Sequence, residues 1–353
     1  MKLKSLLFCF AFTLLNIQAQ NIPLYVGTYT NGESEGIYQF EFNTETGSLN
    51  NKQLAINIDN PSFLAYSPDK KHLYSVNQSE DGYVSSYKIN NDGTLLLLTR
   101  VSSNGEGPCH ISINENGDKI VVSNYNAGTV SIYPINKDGS LKEASQIFNH
   151  NSANEKSHAH SAKFSKDDLF VSDLGRNAIY HYKITDDSYK LESPSIVKME
   201  GNPGPRHFSL DKKSKFLYVI NEYGCSIASI KKTKKGFKQI DFDSTLDENY
   251  EGKNKCADIH LSKDGRFLYG SNRGENSIAV FKRNTKNGTL DKIQNMSVHG
   301  DWPRNFSLDP TGKFLLAANK KSNNISVFKI DNESGKLTFL HATDLPAPVC
   351  LLF

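Results

Sequence analysis

An apolar run closing on Asn or a similar residue, followed by a turn and an alternating segment, returns along this chain at a nearly constant interval. The copies are Leu24–Thr28, Leu73–Asn77, Ile120–Asn124, Leu169–Asp173, Leu217–Asn221, Phe267–Asn272 and Phe314–Asn319. Counted from Thr28, the steps are 49, 47, 49, 48, 51 and 47 residues. A fixed period of this size over a whole chain is the mark of a repeat architecture in which each repeat is one supersecondary unit.

Each unit divides into four β-segments. A short strand follows a Pro or similar residue, as in Pro61–Tyr66, and a turn such as Ser67-Pro68-Asp69-Lys70 leads to the apolar phrase. A third segment alternates in the manner of a half-buried strand, as in Thr129–Tyr133 and Ser277–Phe281. Gly turns (Asp92-Gly93, Asp138-Gly139, Asn287-Gly288, Ser334-Gly335) then open a fourth. No segment keeps a helical period. Four strands per unit at this pitch predict an all-β, seven-bladed β-propeller with four-stranded antiparallel blades. The first unit lacks an innermost strand, and Pro346–Phe353 at the C-terminus reads as that strand, so the ring closes within the N-terminal blade and leaves no exposed sheet edge.

The first residues differ from the rest. Lys2 and Lys4 precede an apolar run from Leu6 to Leu15, and Ala19 supplies a small residue beyond it. This is the pattern of a cleavable secretory signal over 1–19, and the run is too short to span a membrane. One propeller domain over 20–353 and a periplasmic or secreted protein are therefore expected. Export permits disulfides, but Cys109, Cys225, Cys256 and Cys350 fit no metal spacing and are expected as mostly buried thiols. The net charge is only +3, which gives no basic stripe for nucleic acid. The single basic run, Lys231-Lys232-Thr233-Lys234-Lys235, reads as a solvated hairpin turn.

In a propeller the innermost strands surround a channel. Because the first two strands of a blade are antiparallel, residues just after the recurrent Pro and just after the recurrent Asn gather at one mouth. The first set includes Cys109, His110, His158, His160, Arg206, His207, Asp258, Arg304 and Asn305. The second includes Gln78, Tyr125, Glu222, Arg273 and Lys320. Arg206 and Glu222 stand sixteen residues apart in one hairpin and are expected as cross-strand neighbours. An ion pair that merely tiles the wall is the alternative. His158 and His160, at i and i+2, point the same way from a strand; no third ligand at a matching place supports a metal, and no cofactor is expected. His72, His150, His181, His299 and His341 fall at turns or outer strands and carry no assigned role.

These phrases carry a resemblance. Tyr25-Val26-Gly27-Thr28-Tyr29-Thr30, Gly107-Pro108-Cys109-His110, Ser123-Asn124-Tyr125, His158-Ala159-His160, Gly204-Pro205-Arg206-His207, Asn221-Glu222, Ser271-Asn272-Arg273-Gly274 and Trp302-Pro303-Arg304-Asn305-Phe306 are similar to the 6-phosphogluconolactonase-type lactonases. These are seven-bladed propellers related to the fungal carboxy-muconate lactonizing enzymes. The resemblance implies hydrolysis of a sugar lactone, with His158 (or its neighbour His160), Arg206 and Glu222 as catalytic groups. His110, Tyr125, His160, His207, Arg273, Arg304, Asn305 and Lys320 are then expected around the substrate. A small-molecule partner and a monomer are implied. A binding propeller anchored by Trp302 and Tyr125, or a lactonizing isomerase, are the alternatives. No G-x-S-x-G elbow is present, which favours direct attack by water over a covalent intermediate.

Overall fold

The structure is a computed structural model that describes residues 21–199 and 201–353. The expected signal segment lies outside the described residues. Among the described residues, twenty-eight strands, β1 to β28 in chain order, form seven four-stranded antiparallel sheets. Blade 1 joins β28 (Pro348–Leu352) to β1 (Asn21–Thr28), β2 (Gly36–Asn43) and β3 (Leu49–Asn57), so the C-terminal strand closes the ring as expected. The other six blades are each built from four consecutive strands. Their innermost strands are β4 (Pro61–Tyr66), β8 (Pro108–Ile113), β12 (Ala159–Ser165), β16 (Pro205–Leu210), β20 (Lys255–Leu261) and β24 (Pro303–Leu308). Each packs against the next, and β24 and β4 both pack against β28. No helix of the described residues is long and apolar enough to cross a membrane.

The core lies between blades, in seven apolar clusters among the described residues. Phe42 and Leu24 of blade 1 meet Phe314 and Val327 of blade 7, and Phe216 and Ile220 of blade 5 meet Leu268 and Phe281 of blade 6. The recurrent apolar phrases are second strands covered on both faces. This explains why β17 (Phe216–Asn221) and β25 (Phe314–Asn319) are buried at every position and show no alternation. Outer strands keep one wet face, as β27 (Leu337–Asp344) does. The Lys231–Lys235 run bends through the outer hairpin between β18 (Ser226–Thr233) and β19 (Gly236–Ser244), as its composition suggests.

In blades 2, 3 and 6 the Asn that closes the phrase ties down the loop entering its blade. Asn77 Nδ2 donates to Asp59 O at 2.7 Å, Asn124 Nδ2 to Ser103 O at 2.8 Å, and Asn272 Nδ2 to Thr245 O at 2.9 Å. Blade 4 carries Asp173 instead. It accepts from Ser157 Oγ (2.5 Å) and from the backbone N–H of His158 (2.9 Å). The exchange thus fixes the backbone at His158.

A simple antiparallel register does not hold along the innermost strands. Where β16 meets β17, pairing jumps from Pro205↔Asn221 to His207↔Ile220, leaving Arg206 as the extra residue. The same break follows Pro61, Pro108, Ala159 and Pro303, and a wider one separates Cys256 from Ile259. A bulge re-aims side chains and is common beside functional sites. Here it makes Ser62, Cys109, His160, Arg206 and Arg304 equivalent positions.

Candidate active site at the channel mouth

Consecutive side chains on a regular strand point to opposite faces. At the bulge they converge instead: Arg206 Nη1 lies 3.4 Å from His207 Nε2. Arg206 is 1% exposed. Its Nε donates to Glu222 Oε2 at 3.1 Å and its Nη1 to Ala257 O at 2.6 Å. Nη2 has no hydrogen-bond partner among the described residues. A buried guanidinium needs that much fixing, because burial, together with Arg273 and Arg304, pulls its pKa down to about 9.

Glu222 sits one residue beyond β17 and is shared among three cations. Its Oε2 also receives Arg273 Nη2 at 2.8 Å, and Lys255 Nζ stands 3.6 Å from its Oε1. Burial works to raise this carboxyl, but Arg273, Arg206 and Lys255 outweigh it and hold it below the ordinary carboxylate range. Glu222 therefore stays ionised and orients two guanidinium groups. Arg273 donates as well to Cys256 O at 2.7 Å, while its Nε has no partner, and its guanidinium lies 5.3 Å from the Trp302 ring centre. Trp302 itself takes a positive φ of 68°, a rare conformation for a bulky residue and one that tends to gather at functional sites.

Behind Arg206, His207 Nδ1 donates to Asp258 Oδ1 at 2.7 Å. Asp258 also accepts from Asn305 Nδ2 (2.5 Å) and His260 Nε2 (3.0 Å). With Nδ1 carrying the hydrogen, His207 Nε2 presents a lone pair to Arg206. Burial and the adjacent Arg206 hold this imidazole neutral, with its pKa at about 3.

His158 is half-buried and stacks on Tyr125, ring centres 4.5 Å apart. Its Nδ1 is 3.0 Å from the Tyr125 backbone carbonyl. A carbonyl oxygen only accepts, so Nδ1 carries the hydrogen and Nε2 keeps its lone pair. Tyr125 links this ring to the rest of the mouth: His160 packs edge-on to it at 5.5 Å, and Tyr223 and Glu222 lie close enough to perturb its hydroxyl. His160 is buried, 5.1 Å from His207 between ring centres. Burial, then Arg206 and His207, keep it neutral well below the usual range.

On the other side of the mouth, Tyr29 carries Arg304 (5.4 Å) and Lys320 (4.7 Å) against its ring and donates to Gln78 Oε1 at 2.6 Å. The mouth thus gathers Arg206, Arg273 and Lys255 on the Glu222 carboxylate and Arg304 and Lys320 on the Tyr29 ring.

The residues expected around one site separate into two layers. His158, Tyr125, His160, Arg206, Glu222, Arg273, Arg304 and Lys320 belong to the mouth. His110, His207, Asp258 and Asn305 line a cavity of about 450 Å³ further along the channel, among the C-terminal ends of the inner strands, where His110 packs on Phe63. His207 connects the layers. Lys255, Tyr29 and Tyr223 join the mouth although the sequence reading did not select them. Tyr29 follows Thr28 as Gln78 follows Asn77, so the same positional rule reaches it. Lys255 opens β20 where no Pro marks the strand, and nothing local signals it. Of the histidines given no role, His150 stacks on Tyr180, hydrogen-bonds Tyr182 at 2.5 Å and stands 3.4 Å from Asp173, and His181 pairs with Asp168.

A family model described as the 7-bladed beta-propeller lactonase matches residues 23–353. A 6-phosphogluconolactonase of Bacillus subtilis is 36% identical over 341 residues, covering 93% of this chain and 97% of that protein. One of Formosa agariphila is 36% identical over 82% of this chain and 86% of its own length. Among solved structures, the periplasmic gluconolactonase of Pseudomonas aeruginosa superposes with a TM-score of 0.89 at 28% identity, over 94% of this chain and 99% of that one.

Proposed function

This chain belongs to the lactonase family of seven-bladed β-propellers, and on that premise we propose that it hydrolyses a sugar lactone to the open hydroxy acid at the channel mouth. The observation that carries the reading is the Arg206–Glu222–Arg273 cluster at the mouth, together with His158, whose Nδ1 is committed to the Tyr125 carbonyl so that Nε2 keeps its lone pair.

Opening a lactone with water needs a base for the water, donors for the developing oxyanion and a proton for the leaving alkoxide. His158 Nε2 removes the proton from water, and the Tyr125 carbonyl holds the ring in the tautomer that does so. Arg206 Nη2 donates to the carbonyl oxygen as it gains charge. Glu222 is a positioning residue: ionised and held by three cations, it is a poor base and a good clamp. Asp258, acting through His207, fixes the second edge of the same guanidinium. The protonated His158 then returns its proton to the ring oxygen as the acyl bond breaks. Arg304 and Lys320 supply charge for an anionic group of the substrate, a phosphate or the nascent carboxylate.

Relatives named for a phosphorylated and an unphosphorylated gluconolactone support the substrate class, and the leader-like 1–19 segment supports an exported enzyme. The test is acid release in a pH-stat with δ-gluconolactone and its 6-phosphate. Turnover is expected to fall at least about a hundredfold in Arg206→Ala and Glu222→Gln, the scale for losing a preorganised oxyanion donor. Failure of the folded wild type to open either lactone faster than buffer would remove the reading.

A further inference from the structure

Three residues after Glu222, at the tip joining β17 to β18, stands Cys225. It is the one half-exposed thiol among the described cysteines; Cys109, Cys256 and Cys350 are buried. Cys225 packs against the apolar cluster that contains Cys256, and the two thiols lie close enough to perturb each other electrostatically. Shared neighbours hold them together. Thr245 Oγ1 donates to the Cys225 carbonyl at 2.9 Å and lies 3.1 Å from Cys256 Sγ. Asn254 Nδ2 donates to Cys225 Sγ at 3.3 Å and to Asn272 Oδ1 at 3.2 Å, and that oxygen in turn accepts from Cys256 Sγ at 3.2 Å.

We propose that Cys225 and Cys256 form a thiol–disulfide modification site, a half-exposed attacking thiol beside a buried resolving thiol. The pair closes to an intramolecular disulfide on meeting a small-molecule disulfide. The site stands on its own geometry and does not depend on the lactonase chemistry.

The asymmetry is what such a site requires. An attacking thiol must be reachable and largely ionised, and its partner must be near but shielded. The neighbouring Cys256 thiol, opposed by partial burial and aided by Asn254, draws Cys225 down to about 6. Burial keeps Cys256 protonated until the second step. In the first step the Cys225 thiolate attacks one sulfur of the disulfide RSSR, forming Cys225–S–SR and releasing RS⁻. In the second, Cys256 loses its proton and attacks Cys225 Sγ, expelling a second RS⁻. The balance is two protein thiols and RSSR giving the protein disulfide and two RSH.

Placement gives the bond a consequence at the mouth. Cys256 N donates to Glu222 O at 3.0 Å, and Cys256 O receives Arg273. The disulfide would staple the hairpin carrying Glu222 to the inner strand beneath Arg273.

The experiment treats the reduced full chain with oxidised glutathione and maps its peptides without reduction. A Cys225–Cys256 cross-link with Cys109 and Cys350 still free is expected. Cys256→Ser is expected to trap glutathione on Cys225 as a lasting adduct. A wild-type chain whose Cys225 stays free, or keeps glutathione without passing to Cys256, overturns the proposal, and that wild-type result decides even where the variant fails to fold.

Discussion

At Arg206 the ordinary worth of an ion pair is inverted by burial. An exposed pair contributes little, whereas a buried guanidinium stripped of its acceptor leaves an uncompensated charge, at a cost of about 3–5 kcal/mol. Glu222 faces Arg206 and Arg273 at once, so its removal affects both stability and chemistry. The two histidines of His158-Ala159-His160 are separable by the same reasoning. His158 has a fixed tautomer and partial exposure; His160 is enclosed between Tyr125 and His207. His158→Asn is expected to lower kcat by about 10²–10⁴, the range for losing a general base, with little change in melting temperature. His160→Asn is expected to lower melting temperature and to leave the larger share of kcat. Paired kinetics and thermal melts of both variants check this. A greater kcat loss in His160→Asn would reassign the base.

At the scale of elements, the bulges and the outer turns do different work. The bulge behind each Pro brings Arg206 and His207 to one side, and without it the Asp258–His207–Arg206 chain could not form. The outer Gly turns lock one blade to the next. Gly335 has φ 73°, its carbonyl accepts from Tyr269 Oη at 3.0 Å, and a Cβ there would stand 2.3 Å from the Phe267 ring. Gly335→Ala combines a left-handed backbone with a steric clash. It is expected to destabilise by about 1–3 kcal/mol without altering KM. Urea unfolding measures the loss; an unchanged midpoint would show that blades 6 and 7 give way freely at that turn.

For the whole molecule, the channel's buried titratable groups set its acid response. Burial, with neighbouring cations, lowers His110, His160 and His207, so the folded state stays neutral where the unfolded chain takes up protons near pH 6.5. A lowered folded pKa costs nothing above that pH and removes stability progressively below it, by up to about 1.4 kcal/mol per pH unit for each histidine. The lowered carboxyls of Asp258 and Glu222 extend the loss, since their contribution is present above the unfolded carboxylate range and disappears as pH falls through it. Melting temperature is therefore expected to be level from pH 8 to 7 and to fall steeply from about pH 6 downward. A melt series in pH tests this, and a flat profile to pH 4 would mean that these imidazoles protonate without cost in the folded state.

The repeat determined the architecture by itself. Seven evenly spaced phrases, Gly turns at fixed offsets and a terminal segment able to complete blade 1 leave one economical way to bury the apolar runs. The rule that residues after the recurrent Pro and Asn meet at one mouth also located Arg206, Glu222, Arg273 and Lys320, because strand direction follows from the repeat. Tertiary structure alone decided what those residues touch. Bulges are not written in alternation, so the separation of His110, His207 and Asn305 into a lower layer was not legible. Nor was the fixing of His158 by Tyr125 and Asp173, or the place of Lys255. These contacts join different strands and blades, fifteen residues apart for His158 and Asp173 and thirty-three for His158 and Tyr125, and local sequence carries no term for them.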